Sequence, residues 1–229
     1  MKYAFTLALI GIAQLYFARE AGPWGWLLAW SGLSWLLVGA AYQPIGPRVF
    51  GKRVDGTMAG VNVALLLPYL AVTWGLWEIQ KRLSREERSH EIVKGLWLGR
   101  RCSESELPPG TMLVADLTAE FGEPRKVRTG RGYICLPTMD AAAPSLPEFE
   151  RMVSAITACP GAVYVHCALG HGRSATVVAA ALIARADAAS VEEAIQKTKT
   201  ARPGIEINAA QRDLLDRWVS SRPSPETSQ

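Results

Sequence analysis

The 229 residues carry a formal charge of +4 and an apolar fraction of 49%, and the apolar residues are unevenly spread. Four cysteines, Cys102, Cys135, Cys159 and Cys167, show neither metal-ligand spacing nor a dense disulfide pattern, which argues against a zinc module and a disulfide-stapled secreted fold. No nucleic-acid partner, metal or cofactor is expected.

The first apolar run, Tyr3 to Ala18, lies at the short edge of what crosses a hydrocarbon core. A cleaved secretory signal is the competing reading of Met1-Lys2 and this run. Against it, Leu15-Tyr-Phe-Ala-Arg-Glu20 lacks a small-x-small cleavage pattern, and further apolar runs follow directly. No charge occurs from Ala21 to Pro47 or again from Gly56 to Trp77, so each stretch is long enough to span as a helix. Trp24, Trp26, Trp74 and Trp77 stand near run ends, where amphipathic rings favour the membrane interface. These features predict about three transmembrane helices, over 3–18, 24–42 and 57–78, within an anchor over 1–80. Lys81, Arg82, Arg85 and Arg88 after the last span mark that side as cytoplasmic, although Arg48, Lys52 and Arg53 then lie outside. A thiol that must react also wants a reducing compartment. The chain is therefore read as a multi-pass integral membrane protein with its soluble domain on the cytoplasmic side. A bacterial inner membrane is expected, since nothing resembles an Arg- and Ser-rich transit peptide.

Residues 81–91 are a charged juxtamembrane connector, read as a helical extension of the third span or a solvated linker, with His90 inside it. From 92 to 220, strand-like and helix-like pieces alternate. Strands are predicted at Ile92 to Leu98, Met112 to Leu117, Tyr133 to Leu136 and Ala162 to His166. Helices are predicted at Leu146 to Ala158, Arg173 to Ala186, Val191 to Thr200 and Asn208 to Ser220. Such alternation indicates an α/β sheet with helices packed around it. The Ser- and Pro-rich tail from 221 to 229 is expected to be disordered.

The chemistry concentrates in Val163-Tyr-Val-His-Cys-Ala-Leu-Gly-His-Gly-Arg-Ser-Ala-Thr176. A strand ending at His166 feeds a tight loop, Cys167, Ala168, Leu169, Gly170, His171, Gly172 and Arg173, and a helix begins near Ser174. Backbone N–H groups of such a loop and of a helix N-terminus form an anion cradle. The same positive field favours the thiolate of Cys167, and the planar fork of Arg173 fits two phosphate oxygens.

His-Cys-x5-Arg-Ser resembles the signature loop of the cysteine-dependent protein tyrosine phosphatase superfamily, and the short domain looks most like its dual-specificity branch. The resemblance extends to Ile92-Val-Lys-Gly-Leu-Trp-Leu-Gly99 and to Arg202-Pro-Gly-Ile-Glu-Ile-Asn208 followed by Gln211, and so covers Ile92 to Trp218. It implies a dual-specificity-phosphatase-like sheet flanked by helices. It also implies a phosphocysteine intermediate on Cys167, with Arg173 as phosphate and transition-state ligand, Ser174 stabilising the leaving thiolate and His166 orienting the loop. A general acid is needed for the leaving oxygen, and Asp140, in Leu136-Pro-Thr-Met-Asp140, stands in the expected place. Asp116 also resembles a family segment, one with a structural role at a strand end.

His171 either contacts substrate or faces water. Arg125, Lys126, Arg128 and Arg131 form a basic cluster that is either a solvated loop or a surface for anionic headgroups. Cys135 is a possible oxidative partner for Cys167. The expected activity is hydrolysis of a phosphomonoester at a membrane, on phosphoprotein or on a phospholipid such as phosphatidylglycerophosphate or a phosphoinositide. Ala168, Leu169 and Gly172 bring no lysine to the loop, which argues against a highly charged headgroup. A catalytically silent phosphate-binding membrane scaffold is the reading of another class, and it would be expected to have lost Cys167, Arg173 or Asp140.

Overall fold

The computed structural model describes residues 2–222, apart from the side chains of Lys2, Gln43 and Pro44. The part of the expected disordered tail beyond 222 lies outside the described residues. The chain forms two compact units: Met1–Arg85 with Ala119–Gly122, and Glu86–Thr118 with Glu123–Gln229.

The first unit is built on three apolar helices, α1 (Lys2–Ala18), α2 (Gly25–Ala40) and α3 (Gly60–Leu83). At 1.5 Å per residue, the 24 residues of α3 extend about 36 Å, more than the ~30 Å hydrocarbon thickness, whereas the 17 of α1 and 16 of α2 fall short of it. Among the described residues α3 is the one helix long and apolar enough to cross a membrane. The run expected as a span over 24–42 leaves regular α geometry at Ala40 and continues as a π turn, Ala41–Ile45, and a 3-10 turn, Gly46–Phe50. Pro44 and Pro47 supply the reason, since neither can donate the backbone bond that would extend the helix.

α1 and α2 pack antiparallel at backbone distance. A Cβ on Gly11 would lie 2.7 Å from the Gly32 carbonyl oxygen, and one on Gly32 would lie 2.8 Å from that of Gly11. Pro68 interrupts the hydrogen-bond ladder of α3. Two backbone groups beside it find partners on α2: the Tyr69 amide donates to Ser34 Oγ at 3.3 Å, and the Leu65 carbonyl accepts from Trp30 Nε1 at 3.1 Å.

The second unit is a five-stranded mixed sheet in the order β1-β2-β5-β3-β4. Its strands are β1 (Ser89–Val93), β2 (Leu96–Arg100), β3 (Thr111–Thr118), β4 (Gly132–Thr138) and β5 (Ala162–Cys167). β1 and β2 are antiparallel, and β2, β5, β3 and β4 run parallel to one another. The single strand expected from Ile92 to Leu98 is instead a hairpin. It folds at Lys94-Gly95, where Glu91 Oε1 accepts the Gly95 amide at 2.8 Å. β5 takes the centre because Val163, Tyr164, Val165 and His166 are buried on both faces, which a continuous apolar run permits.

The helices of this unit are α4 (Arg125–Arg128), α5 (Leu146–Ala158), α6 (Arg173–Ala184), α7 (Val191–Ala201) and α8 (Ala209–Ser220). α6 is apolar almost all round, and every residue from Arg173 to Leu182 is buried. It lies in the core with Phe149, Met152, Val153 and Ile156 of α5 and Leu214, Leu215 and Trp218 of α8. Ser190 caps the start of α7, its oxygen accepting the Glu193 amide at 3.1 Å. This packing fixes the start of α6 directly after the central strand, where the signature loop joins them.

Candidate active site

Parallel strands direct their C-terminal ends to one side of a sheet, and ligands bind in the crevice outside those ends. β5 ends there at Cys167, and the loop 168–172 turns straight into α6. Arg100 of β2 pairs with Cys167, and the Arg101 amide donates to the Ala168 carbonyl at 3.2 Å, so the edge of the sheet props the first part of the loop. Gly170 adopts φ +78°.

Cys167 is 3% exposed. Its Sγ accepts from the Gly170 amide at 3.3 Å and from the Ser174 hydroxyl at 3.2 Å. Two donors aimed at one sulfur stabilise negative charge on it. Arg173, buried, donates from Nη1 to the Thr138 carbonyl at 2.7 Å, and its Nη2 lies 3.5 Å from Asp140 Oδ1. The loop after β4 is thereby brought to the mouth of the phosphate loop. Asp140's side chain is 79% exposed. Asn208 Nδ2 donates to the Ala141 carbonyl at 2.9 Å and Gln211 Nε2 to that of Ala142 at 3.4 Å, so the start of α8 holds this loop.

His166 is fully buried, with its ring stacked on Tyr164 at 5.7 Å and its Nδ1 3.4 Å from the Cys167 carbonyl oxygen. On its other side, Nε2 lies 3.9 Å from Glu123 Oε1, and Glu123 is paired with Arg101 at 3.2 Å. Asp116 is also inside the sheet. Its Oδ1 accepts from the amide and hydroxyl of Thr118, both at 2.8 Å, and its Oδ2 accepts from the Tyr133 hydroxyl at 2.7 Å. Burial, reinforced by the Asp116 charge, pushes the Tyr133 hydroxyl far above its ordinary pKa, so it stays a donor. The ligand atoms of Asp116, Glu123 and His166 all lie within 4.8 Å of one another. The donors on Asp116 and the guanidinium on Glu123 already meet these carboxylates, so a cation would compete with Arg101 for the same place.

His171, expected to contact substrate or face water, has its side chain 34% exposed and its Nε2 2.7 Å from Glu86 Oε2. Other sequence expectations change here. His90, expected in a solvated connector, belongs to β1 and has its Nδ1 2.9 Å from Arg202 Nη1. In the basic cluster, Arg128 Nε donates to the Glu123 carbonyl at 3.0 Å, and Arg131 Nη1 donates to those of Lys126 and Val127 at 3.0 and 2.9 Å. Two of its four cations therefore brace their own loop. Cys135 pairs with Asp116 on β3, which in turn pairs with His166 on β5. It thus stands about two strand spacings, ~9.6 Å, from the strand that carries Cys167, beyond the reach of a disulfide without backbone movement. The residues that sequence reasoning missed are Glu86, Arg101 and Glu123, none of which sits in a motif.

Residues 112–220 match the sequence family described as dual specificity phosphatase, catalytic domain. Similar solved structures include human DUSP28 carrying one substitution, 26% identical over 58% of this chain and 95% of that one, with a TM-score of 0.53. PTPMT1 in complex with PI(5)P is 25% identical over 58% of this chain and 96% of that one, with a TM-score of 0.51. Human tyrosine phosphatase-like serine/threonine/tyrosine-interacting protein is 24% identical over 58% and 97%, with a TM-score of 0.52, a likeness of fold. Comparison with curated protein sequences gives no match. The fold and the matched domain define a cysteine-based phosphatase of the dual-specificity, protein tyrosine phosphatase-like kind.

Proposed function

We propose that this chain is a membrane-anchored phosphomonoester hydrolase that works through a phosphocysteine on Cys167. The observation that carries the reading is the sulfur of Cys167 receiving the Gly170 amide and the Ser174 hydroxyl, with the buried Arg173 beside it reaching the Asp140 loop. The phosphate of the substrate lies in the loop of residues 167–173, with Arg173 forked on two of its oxygens. Cys167 Sγ attacks phosphorus as the bond to the leaving oxygen breaks, and Asp140 gives that oxygen its proton. Water then attacks the phosphocysteine and Asp140 takes its proton. The Ser174 hydroxyl donates to the departing sulfur, and His166 holds the Cys167 backbone in place. No step in this reading calls on a metal or cofactor.

The domains follow as an anchor built on the first unit, a short connector after α3 and a catalytic domain whose first strand is β1 (Ser89–Val93), in place of the boundaries at 80 and 92 expected from the sequence. Membrane anchoring is supported by the surface: among the described residues, all the exposed large apolar side chains but Met112 and Val219 lie between Tyr3 and Leu83. Soluble surfaces rarely carry apolar exposure on that scale. In the three-span form, α1 and α2 complete their crossing by local thinning and flanking residues, the N-terminus lies outside and the catalytic domain is cytoplasmic, at a bacterial inner membrane.

Phosphotyrosine or phosphoserine/threonine protein is the first substrate reading, in keeping with the dual specificity domain matched. The apolar surface favours a second, a membrane phospholipid monoester such as phosphatidylglycerophosphate or a phosphoinositide, and PTPMT1 was solved with PI(5)P. The test is phosphate release by purified full-length protein from a phosphotyrosine peptide and from phospholipids in mixed micelles, with Cys167→Ser as control. Release from peptide alone marks a protein phosphatase, and preference for one lipid marks a lipid phosphatase. No Cys167-dependent release from either refutes the hydrolase and leaves the phosphate-binding scaffold. Resistance of the protein to alkaline carbonate extraction from membranes checks the anchor.

A further inference from the structure

Arg202, 1% exposed, has no part in the chemical steps above, yet its guanidinium is bonded on every side. Nε donates to the Gly170 carbonyl at 3.0 Å, and Nη2 donates to the Leu169 carbonyl at 3.0 Å and to Glu86 Oε2 at 2.6 Å. Nη1 donates to the Glu87 carbonyl at 2.9 Å and faces His90 Nδ1 at 2.9 Å. A guanidinium has five N–H groups, and five acceptors surround this one. Burial lowers its pKa from the ordinary arginine value, with the Glu86 charge opposing that shift. The same Glu86 oxygen lies 2.7 Å from His171 Nε2, within the phosphate loop.

The geometry of the peptide unit gives these contacts a consequence. A trans unit points its C=O and its N–H in opposite directions, and among the described residues there is no cis peptide bond. Arg202 grips the Leu169 carbonyl, so the Gly170 N–H of the same unit points the other way, to Cys167 Sγ at 3.3 Å. The next unit is gripped likewise by its Gly170 carbonyl, which sends the His171 N–H away from Arg202. A unit that turned over would present an oxygen where a phosphate oxygen must sit.

We propose that Glu86, in the stretch leading into β1, is a positioning residue of the phosphate loop. Through Arg202 and His171 it holds the two peptide units around Gly170 in the orientation that receives an oxyanion beside Cys167. The inference rests on the phosphocysteine reading, because it concerns the cradle in which that intermediate forms. It makes the cradle depend on a residue that lies before the first strand and outside the segment matched by the family.

The experiment uses full-length protein with p-nitrophenyl phosphate as substrate, orthovanadate as the oxyanion and iodoacetamide as probe of Cys167, its modification located by mass spectrometry. Glu86→Ala is expected to raise the vanadate Ki at least tenfold, lower kcat/KM in proportion and slow alkylation of Cys167. Glu86→Gln, which keeps one acceptor oxygen without the charge, is expected to fall between this variant and the wild type. Circular dichroism establishes that each variant is folded, and if Glu86→Ala is not, Glu86→Gln decides alone. A folded variant with a lower melting temperature but wild-type vanadate Ki and alkylation rate overturns the proposal, since a merely structural residue behaves that way. Wild-type turnover that survives Cys167→Ser, or is absent, counts against the phosphocysteine reading instead. Vanadate protection of Cys167 against alkylation, compared between wild type and Glu86→Gln, then decides the role of Glu86.

Discussion

Replacing Gly170 with alanine probes the phosphate loop at its tightest point. At φ +78° a Cβ strains the backbone by about 1–2 kcal/mol. That Cβ would also lie 2.4 Å from the carbonyl carbon and oxygen of Gly99 and 2.9 Å from the Arg100 nitrogen. All three are backbone atoms of β2, which is paired to β5 along its whole length, so they cannot swing aside as a side chain would. The loop must move instead, and movement pulls the Gly170 amide off Cys167 Sγ. A hydrogen bond to a charged group contributes about 1.5–3 kcal/mol. At 1.36 kcal/mol per tenfold, its loss lowers kcat/KM about 10- to 150-fold. The assay is steady-state hydrolysis of p-nitrophenyl phosphate, with vanadate inhibition and a thermal melt on the same preparation. A folded Gly170→Ala protein with kcat/KM within about twofold of wild type and an unchanged vanadate Ki would refute the reasoning.

Ser174→Ala removes the hydroxyl 3.2 Å from Cys167 Sγ. It is expected to slow breakdown of the phosphocysteine about tenfold, seen as a burst of p-nitrophenolate before a slower steady state; an unchanged kcat without a burst speaks against it. Asn208→Ala removes the α8 N-cap and the donor to the Ala141 carbonyl. A loss of about 1 kcal/mol in stability is expected, with kcat falling more on phenyl phosphate than on p-nitrophenyl phosphate because the Asp140 loop loosens. Asn208→Asp, which keeps the cap without the donor, should show the second effect alone. Burial pushes the Cys102 thiol from 9.0 up to about 12. Cys102 is therefore expected to resist iodoacetamide at pH 7.5. Its folded-state value is raised, so its stability contribution is full below pH 9.0 and is lost as pH climbs toward about 12, with a ceiling of roughly 4 kcal/mol. Denaturation midpoints measured across that window should fall less steeply in Cys102→Ala, and parallel curves would contradict the assignment.

Much of the second unit was legible from periodicity and punctuation. The helix expected over Leu146 to Ala158 and the strand expected over Ala162 to His166 recur, the strand extended by Cys167. Both depend on local patterns, an amphipathic stripe and a buried β-branched run. The hairpin at Lys94-Gly95 was missed because Ile92 to Leu98 is apolar enough to read as one strand, and the turn is closed by a side chain, Glu91. In the first unit the apolar runs marked three helices, but Pro44 and Pro47 shorten the second.

For the site, the sequence by itself placed Cys167, Arg173 and Ser174 together, because a strand-loop-helix junction brings neighbours in sequence to one anion cradle. Tertiary structure decided the rest. Asp140 reaches Arg173 only because β4 ends on the same side of the sheet as β5, and Asp116 is kept from any such role by Thr118 and Tyr133. Glu86 reaches His171 across 85 positions of chain, and Arg202 joins them from another direction. No periodicity or spacing records such pairings. The burial of Arg202 makes a counter-charge necessary, but which carboxylate supplies it depends on how the chain returns to that point in space.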